Sequence, residues 1–175
     1  LLSGFTARGC SIRDLFILVA SGIHRHPTGP EMRRILGDTV FTEFSDRIHY
    51  HDPDDPKQLV DVGRDARGRS VRINRRAMDA DRLIPIGTAT YHYHAGFGGG
   101  RKSLVPGLAD RTTIAFNHSL ALDPEQDRLH PCAAPGILDD NPVAEDMLAD
   151  ARLCAPDLII NSVLTPDGHM VGLFS

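Results

Sequence analysis

The feature that most limits the folds open to this chain is the run Leu15-Phe16-Ile17-Leu18-Val19-Ala20, together with the loop and capped helix next to it. Six apolar, β-rich residues read as a short strand buried on both faces, as in parallel sheets, and are far too few to cross a bilayer. The run empties into the loop Ser21–Pro27. Thr28 and Glu31 then form a Thr-x-x-Glu capping box with Pro30 tolerated in the first turn, so a helix is expected to about Leu36, with Gly37 as its stop. Strand, loop and helix in that order argue for an open α/β sheet, and they place His24 and His26 at the end where such sheets bind ligands.

The remainder of the chain fits the same class. Arg47–His51 reads as a short strand ending at the turn Asp52-Pro53-Asp54-Asp55-Pro56, and Gln58–Gly63 with Ser70–Asn74 reads as a hairpin. Leu83–Gly87 is a second buried-strand candidate, with Pro85 counting against it. Helices are expected over Thr112–Leu120 and from the Asn141-Pro142 cap to about Cys154. A last hairpin folds Leu158–Leu164 and His169–Phe174 about Pro166-Asp167-Gly168. The expected architecture is α/β, a mostly parallel sheet with flanking helices plus antiparallel β-hairpins.

A length of 175 residues suits one domain with a real core. The chain starts without methionine at Leu1 and stops in an expected strand at Phe174-Ser175. The expectation is a single α/β domain over residues 1–175, a fragment of a longer polypeptide whose start and second domain are missing. A net charge of −4 argues against general nucleic-acid binding. The arginines Arg64, Arg67, Arg69, Arg72, Arg75 and Arg76 are offset by Asp61, Asp65, Asp79 and Asp81, so they read as a solvated face. Three scattered cysteines, Cys10, Cys132 and Cys154, fit inert thiols in a reducing cytoplasm.

Chemistry concentrates in Tyr91-His92-Tyr93-His94-Ala95-Gly96-Phe97-Gly98-Gly99-Gly100-Arg101-Lys102-Ser103. Imidazoles transfer protons near neutral pH or ligate transition metals, and glycines let backbone amides close on an anion. Lysine adds a charge or an amine nucleophile. Gly96, Lys102 and Ser103 fall in register with a phosphate-binding P-loop, but Arg101 occupies its second glycine, so the loop reads as an anion site without being a Walker motif. His118 on its helix says little alone, and His49, His51, His130 and His169 read as solvated. Two readings from the residues alone stay open beside an enzyme with paired imidazoles. One is a P-loop-like nucleotide-binding or phosphotransfer domain; the other is a zinc hydrolase using His24, His92 and His94.

Four stretches together resemble the nickel-dependent lactate racemases and their homologues. They are Ala20-Ser21-Gly22-Ile23-His24-Arg25, His92 to Lys102, Pro106-Gly107, and Asn117-His118-Ser119-Leu120; Gly68–Asp81 and Asn141–Met147 fit the same pattern. The resemblance implies an isomerase, a 2-hydroxyacid racemase or epimerase, using a nickel-pincer pyridinium mononucleotide. It implies His118 as nickel ligand, Lys102 as the point of covalent attachment, and Arg101 with Gly98, Gly99 and Gly100 around the cofactor phosphate. His24 and His92 would be the two acid/bases flanking the substrate carbon. It further implies a small-molecule 2-hydroxyacid and the cofactor-building enzymes as partners, with neither nucleic acid nor membrane. His94 stands where many relatives carry an aromatic residue. The substrate-carboxylate arginine would lie upstream of this chain, and further substrate contacts downstream.

Overall fold

We describe residues 2–175 of a computed structural model; Leu1, the expected cut start, lies outside the described residues. A short helix α1 (Leu2–Thr6) and a 3-10 turn (Ile12–Asp14) lead into β1 (Ile17–Val19), followed by α2 (Gly29–Leu36) and α3 (Asp38–Glu43). β2 (Ile48–Tyr50) precedes the hairpin β3 (Leu59–Arg64) and β4 (Ser70–Asn74), then α4 (Arg75–Met78) and β5 (Ile86–Thr88). A tight hairpin β6 (Tyr91–His92) and β7 (Gly96–Phe97) runs into a 3-10 turn at Gly100–Ser103 and then α5 (Arg111–Ser119). The small hairpin β8 (Leu122–Asp123) and β9 (Arg128–Leu129) leads to α6 (Pro142–Leu153) and the closing hairpin β10 (Ile160–Leu164) and β11 (Met170–Phe174).

The α/β class holds. Parallel pairing joins β1 to β2 and β5 to β10, while the other four ladders are antiparallel hairpins. β1 is half-buried rather than enclosed, because β2 is its one partner among the described residues. β5 begins after Pro85, which has no N–H to give but accepts from the Ile160 N–H through its carbonyl (2.9 Å). At α2 the Glu31 carboxylate receives the Thr28 N–H at 2.7 Å, as the capping box demands. No helix among the described residues is long and apolar enough to cross a membrane.

The core lies between β4, the segment 104–109, α5 and α6, where Val71, Ile73, Leu104, Val105, Ile114, Val143 and Met147 pack. Two polar residues tie this core to its surroundings. Asn141 caps α6 by accepting the Val143 and Ala144 N–H groups (both 3.1 Å), and its amide donates to the carbonyls of His94 (3.1 Å) and Ile137 (2.9 Å). His51, expected to be solvated, is fully buried. Its Nε2 donates to the Ala109 carbonyl (2.9 Å) and its Nδ1 accepts from the Asn74 amide (3.1 Å), so it fastens β2 to the core as a neutral ring.

The arginine face is likewise more than a solvated one. Arg67 and Arg69 reach across to Asp146 on α6, Arg69 also pairs with Asp65, and the Arg69 guanidinium lies 3.1 Å above the Phe116 ring. Asp150, fully buried beside Asp146 and Asp65, is pushed up to about 6 by burial and then by those carboxylates. All three cysteines are free, and burial raises the Cys154 thiol to about 11, leaving it inert.

Candidate functional site

The site is built on one continuous segment, from β6 through the glycine run to α5. The β6–β7 turn puts His92 at the end of a strand and folds His94 beneath it, buried at 8% exposure. Gly96 has φ +74 and a backbone face pressed against the Ile137 carbonyl, leaving no room for a Cβ. The three glycines that follow pack against the β5–β10 sheet. Gly98 donates its N–H to the Thr90 carbonyl (2.7 Å) and Gly100 donates to Oδ1 of Asn161 (2.8 Å). A Cβ on Gly99 would come within 2.5 Å of that same Oδ1.

Asn161 is therefore the residue that sets the loop, and it is absent from the sequence-derived candidates. The signal was present: an asparagine inside the strand run Ile159-Ile160-Asn161-Ser162-Val163 is out of keeping with strand preferences and asks for a polar task. The glycine amides differ from expectation too. Two of the three are spent on Thr90 and Asn161, so the run serves close backbone approach more than an open ring of anion donors. That also removes the physical basis of a P-loop-like cradle.

The 3-10 turn then swings Lys102 back over β6, with its Nζ 3.1 Å from Nε2 of His92. His92 Nδ1 receives the N–H groups of Ala95 (3.2 Å) and His94 (3.4 Å), which fixes the ring. On α5, His118 Nδ1 donates to the Ile114 carbonyl one turn back (2.9 Å). This sets the tautomer and leaves the Nε2 lone pair available to a metal, the arrangement usual for ligating histidines. His94 stands between the two, perpendicular to His118 at 5.1 Å and nearly so to His92 at 4.6 Å, with its buried Nε2 unpartnered. Arg101 turns inward and donates to the Ala95 carbonyl (2.8 Å).

His92, His94, Arg101, Lys102 and His118 thus come together. His24 sits at the rim: its loop is stitched to the site by the Gly22 N–H on the Gly107 carbonyl (2.9 Å), and its charge is felt by His118. No hydrogen bond or ring contact joins His24 to the group among the described residues. It lines an open concavity of ≈ 330 Å³ with Arg25, Pro27, Glu31, Arg34 and Ile35. Among the described residues the one set of three potential ligands whose atoms converge is Asp65, Asp146 and Asp150, so His24, His92 and His94 do not make a zinc site.

The electrostatics are one-sided. Burial, then Lys102, His118 and Arg101, lowers His92 to about 4. Burial, then His92, His118 and Lys102, lowers His94 to about 4 as well. Burial and Arg101 bring Lys102 down to about 8. Among the described residues every charged neighbour acting on these three groups is a base, and no carboxylate offsets them. A pocket so composed favours anions.

The profile of the lactate racemase N-terminal domain family matches residues 1–129. The chain belongs to that family. It is 36% identical over 159 residues to a lactate racemase of Lactiplantibacillus plantarum and 31% identical over 159 residues to one of Thermoanaerobacterium thermosaccharolyticum. Each alignment takes in 91% of this chain, which spans 36% of the length of either relative. The lactate racemase apoprotein of T. thermosaccharolyticum superimposes with a TM-score of 0.82 over 92% of this chain and 37% of its own, at 31% identity. A Thermotoga maritima protein shares the fold at a TM-score of 0.73 and 21% identity, over 99% of this chain and 44% of its own. In this family member a lysine and three histidines, His92, His94 and His118, lie on one stretch of chain.

Proposed function

We propose that this chain is the cofactor-holding part of a nickel-dependent racemase or epimerase of a small 2-hydroxyacid. The observation that carries the reading is the convergence of His92, Lys102 and a tautomer-fixed His118 in a pocket with no carboxylate among its charged neighbours. The chain's residues fit the implied nickel-pincer nucleotide on the same grounds. His118 Nε2 would hold the nickel, Lys102 would carry the attached pyridine carboxyl group, and Arg101 would face the phosphate, with Gly98, Gly99 and Gly100 shaping the wall. When bound, that group would supply a hydride acceptor for the hydrogen on the substrate's Cα.

The protein's own work is with the proton. A 2-hydroxyacid loses its Cα hydrogen as hydride only if its hydroxyl proton leaves too, and a histidine beside the oxygen takes it. His92 serves one face and His24, on the rim loop, the other, so that each enantiomer meets a base; the His92 ring takes the proton once Nδ1 is released by the Ala95 and His94 amides. Burial and the neighbouring bases keep His92 neutral and weakly basic; an anionic ligand beside it raises its pKa toward the range where general bases work. The partners are the 2-hydroxyacid and the enzymes that build the cofactor, and free, inert cysteines are in keeping with a cytoplasmic protein.

The test is nickel content and intact mass of the full-length protein co-produced with the cofactor-building enzymes, beside His118→Ala. Stoichiometric nickel that the variant lacks is the expected result. A protein without nickel, or a variant that keeps it, overturns the reading.

A further inference from the structure

Against seventeen arginines the chain has two lysines, Lys57 and Lys102. Lys57 is exposed in the turn before β3, whereas Lys102 lies half-buried against His92. The hydrogen bonds around His92 decide the state of that amine. Nδ1 receives two backbone N–H groups, so it carries a lone pair, and the neutral ring must hold its proton on Nε2. That N–H faces Lys102 Nζ at 3.1 Å. An ammonium has three donors and no acceptor, so the contact is satisfied by a free amine and not by a charged one. Partial burial, then Arg101, brings Lys102 down to about 8, so near that pH a substantial share of the amine is uncharged.

The geometry points to Lys102, while it carries no cofactor, as a nucleophilic amine that captures 2-keto acids as a Schiff base. The amine is the electron-pair donor, and the all-basic surroundings select a carbonyl compound that brings its own anion. Lys102 Nζ gives up the His92 hydrogen bond and adds to C2, and the carbonyl oxygen takes up a proton. The hydroxyl of the resulting carbinolamine takes up a second proton and leaves as water while nitrogen closes the C=N bond, and the two protons that oxygen gains match the two that nitrogen gives up. Nothing is oxidised or reduced. The inference rests on the racemase reading for its source of ligand, since oxidation of a 2-hydroxyacid gives the 2-keto acid. Its consequence is competition: keto acid bound at Lys102 blocks attachment of the cofactor there.

The experiment uses the full-length protein made without the cofactor-building enzymes, treated with pyruvate and cyanoborohydride at pH 8 and analysed by peptide mass mapping. Lys102 should label at least tenfold faster than Lys57, and faster with pyruvate than with acetone, its uncharged counterpart. Lys102→Arg, which keeps a long basic side chain but has no nucleophilic amine, should abolish labelling of that peptide. Labelling of Lys102 no faster than Lys57 overturns the free amine, and acetone as effective as pyruvate overturns the keto-acid class. Nickel loading is measured separately. Labelling without nickel keeps the amine and removes the racemase reading, and nickel without labelling does the reverse.

Discussion

Gly99 offers the sharpest test of how the loop is built. It sits at φ 71, ψ −172, a region essentially restricted to glycine, where another residue costs about 1–3 kcal/mol. An alanine Cβ there would also lie 2.5 Å from Asn161 Oδ1 and 3.0 Å from the Thr88 carbonyl. Relieving such overpacking costs a further 1–3 kcal/mol or so. Gly99→Ala should therefore destabilise by about 3 kcal/mol, or roughly 6–12 °C in Tm for a protein of this size. Gly29→Ala is the control, since nothing lies within 4 Å of its Cβ position and its φ is ordinary. Asn161→Ala removes the closest contact, so the double variant should be less destabilised than the sum of the singles by about 1 kcal/mol or more. Urea unfolding measures all four variants against the parent. A Gly99→Ala within about 0.5 kcal/mol of the parent, the range of an inconsequential surface change, would refute the account of the loop.

Three further outcomes are expected from the charges and the core. Burial, then Lys102, His118 and Arg101, holds His92 at about 4, so bound inorganic phosphate should raise it, followed by NMR of the ring. A value unchanged while phosphate is seen to bind would mean that these bases contribute nothing. Asp150 has a folded pKa near 6, above that of an unfolded aspartate. The native state therefore binds more protons between about pH 4 and 6, stability falls as pH rises through that window, and the loss is complete above it. Asp150→Asn should flatten this slope and gain on the order of 2–3 kcal/mol at pH 7; a variant less stable than the parent at pH 7 would contradict it. His51→Ala should cost about 2–4 kcal/mol, because it leaves the Ala109 carbonyl unpaired and opens a cavity, and a thermal shift below about 2 °C would show the ring to be dispensable.

What could be read in the sequence was local. The capping box at Thr28, the Asn141-Pro142 helix start and the hairpin about Gly68 each depend on residues within a turn of one another, and each stands where expected. His92 and Lys102 were legible as neighbours because one short segment carries both, whereas His118 joined them only through the family resemblance. What escaped was long-range. Asn161 meets Gly100 across 61 residues, His51 meets Ala109 across 58, and Arg67 meets Asp146 across 79. A hydrogen-bond partner at that distance leaves no periodicity to detect, so an isolated histidine or strand asparagine shows that it has a task without showing which. β1 was overread for a related reason: six apolar residues specify a strand, but not how many neighbours it will find.

Asn141 joins the fold to the site in a way that bears on motion. Its oxygen holds the first amides of α6 and its nitrogen holds the carbonyl of His94, so all of its bonding capacity is taken. The β6–β7 turn cannot lift away without breaking a bond to the residue that caps the helix. The amides of Val143, Ala144 and Ala95 should then exchange with deuterium through one shared opening, with a single free energy. A loop tied to the end of a helix of 12 residues is expected to open together with that helix.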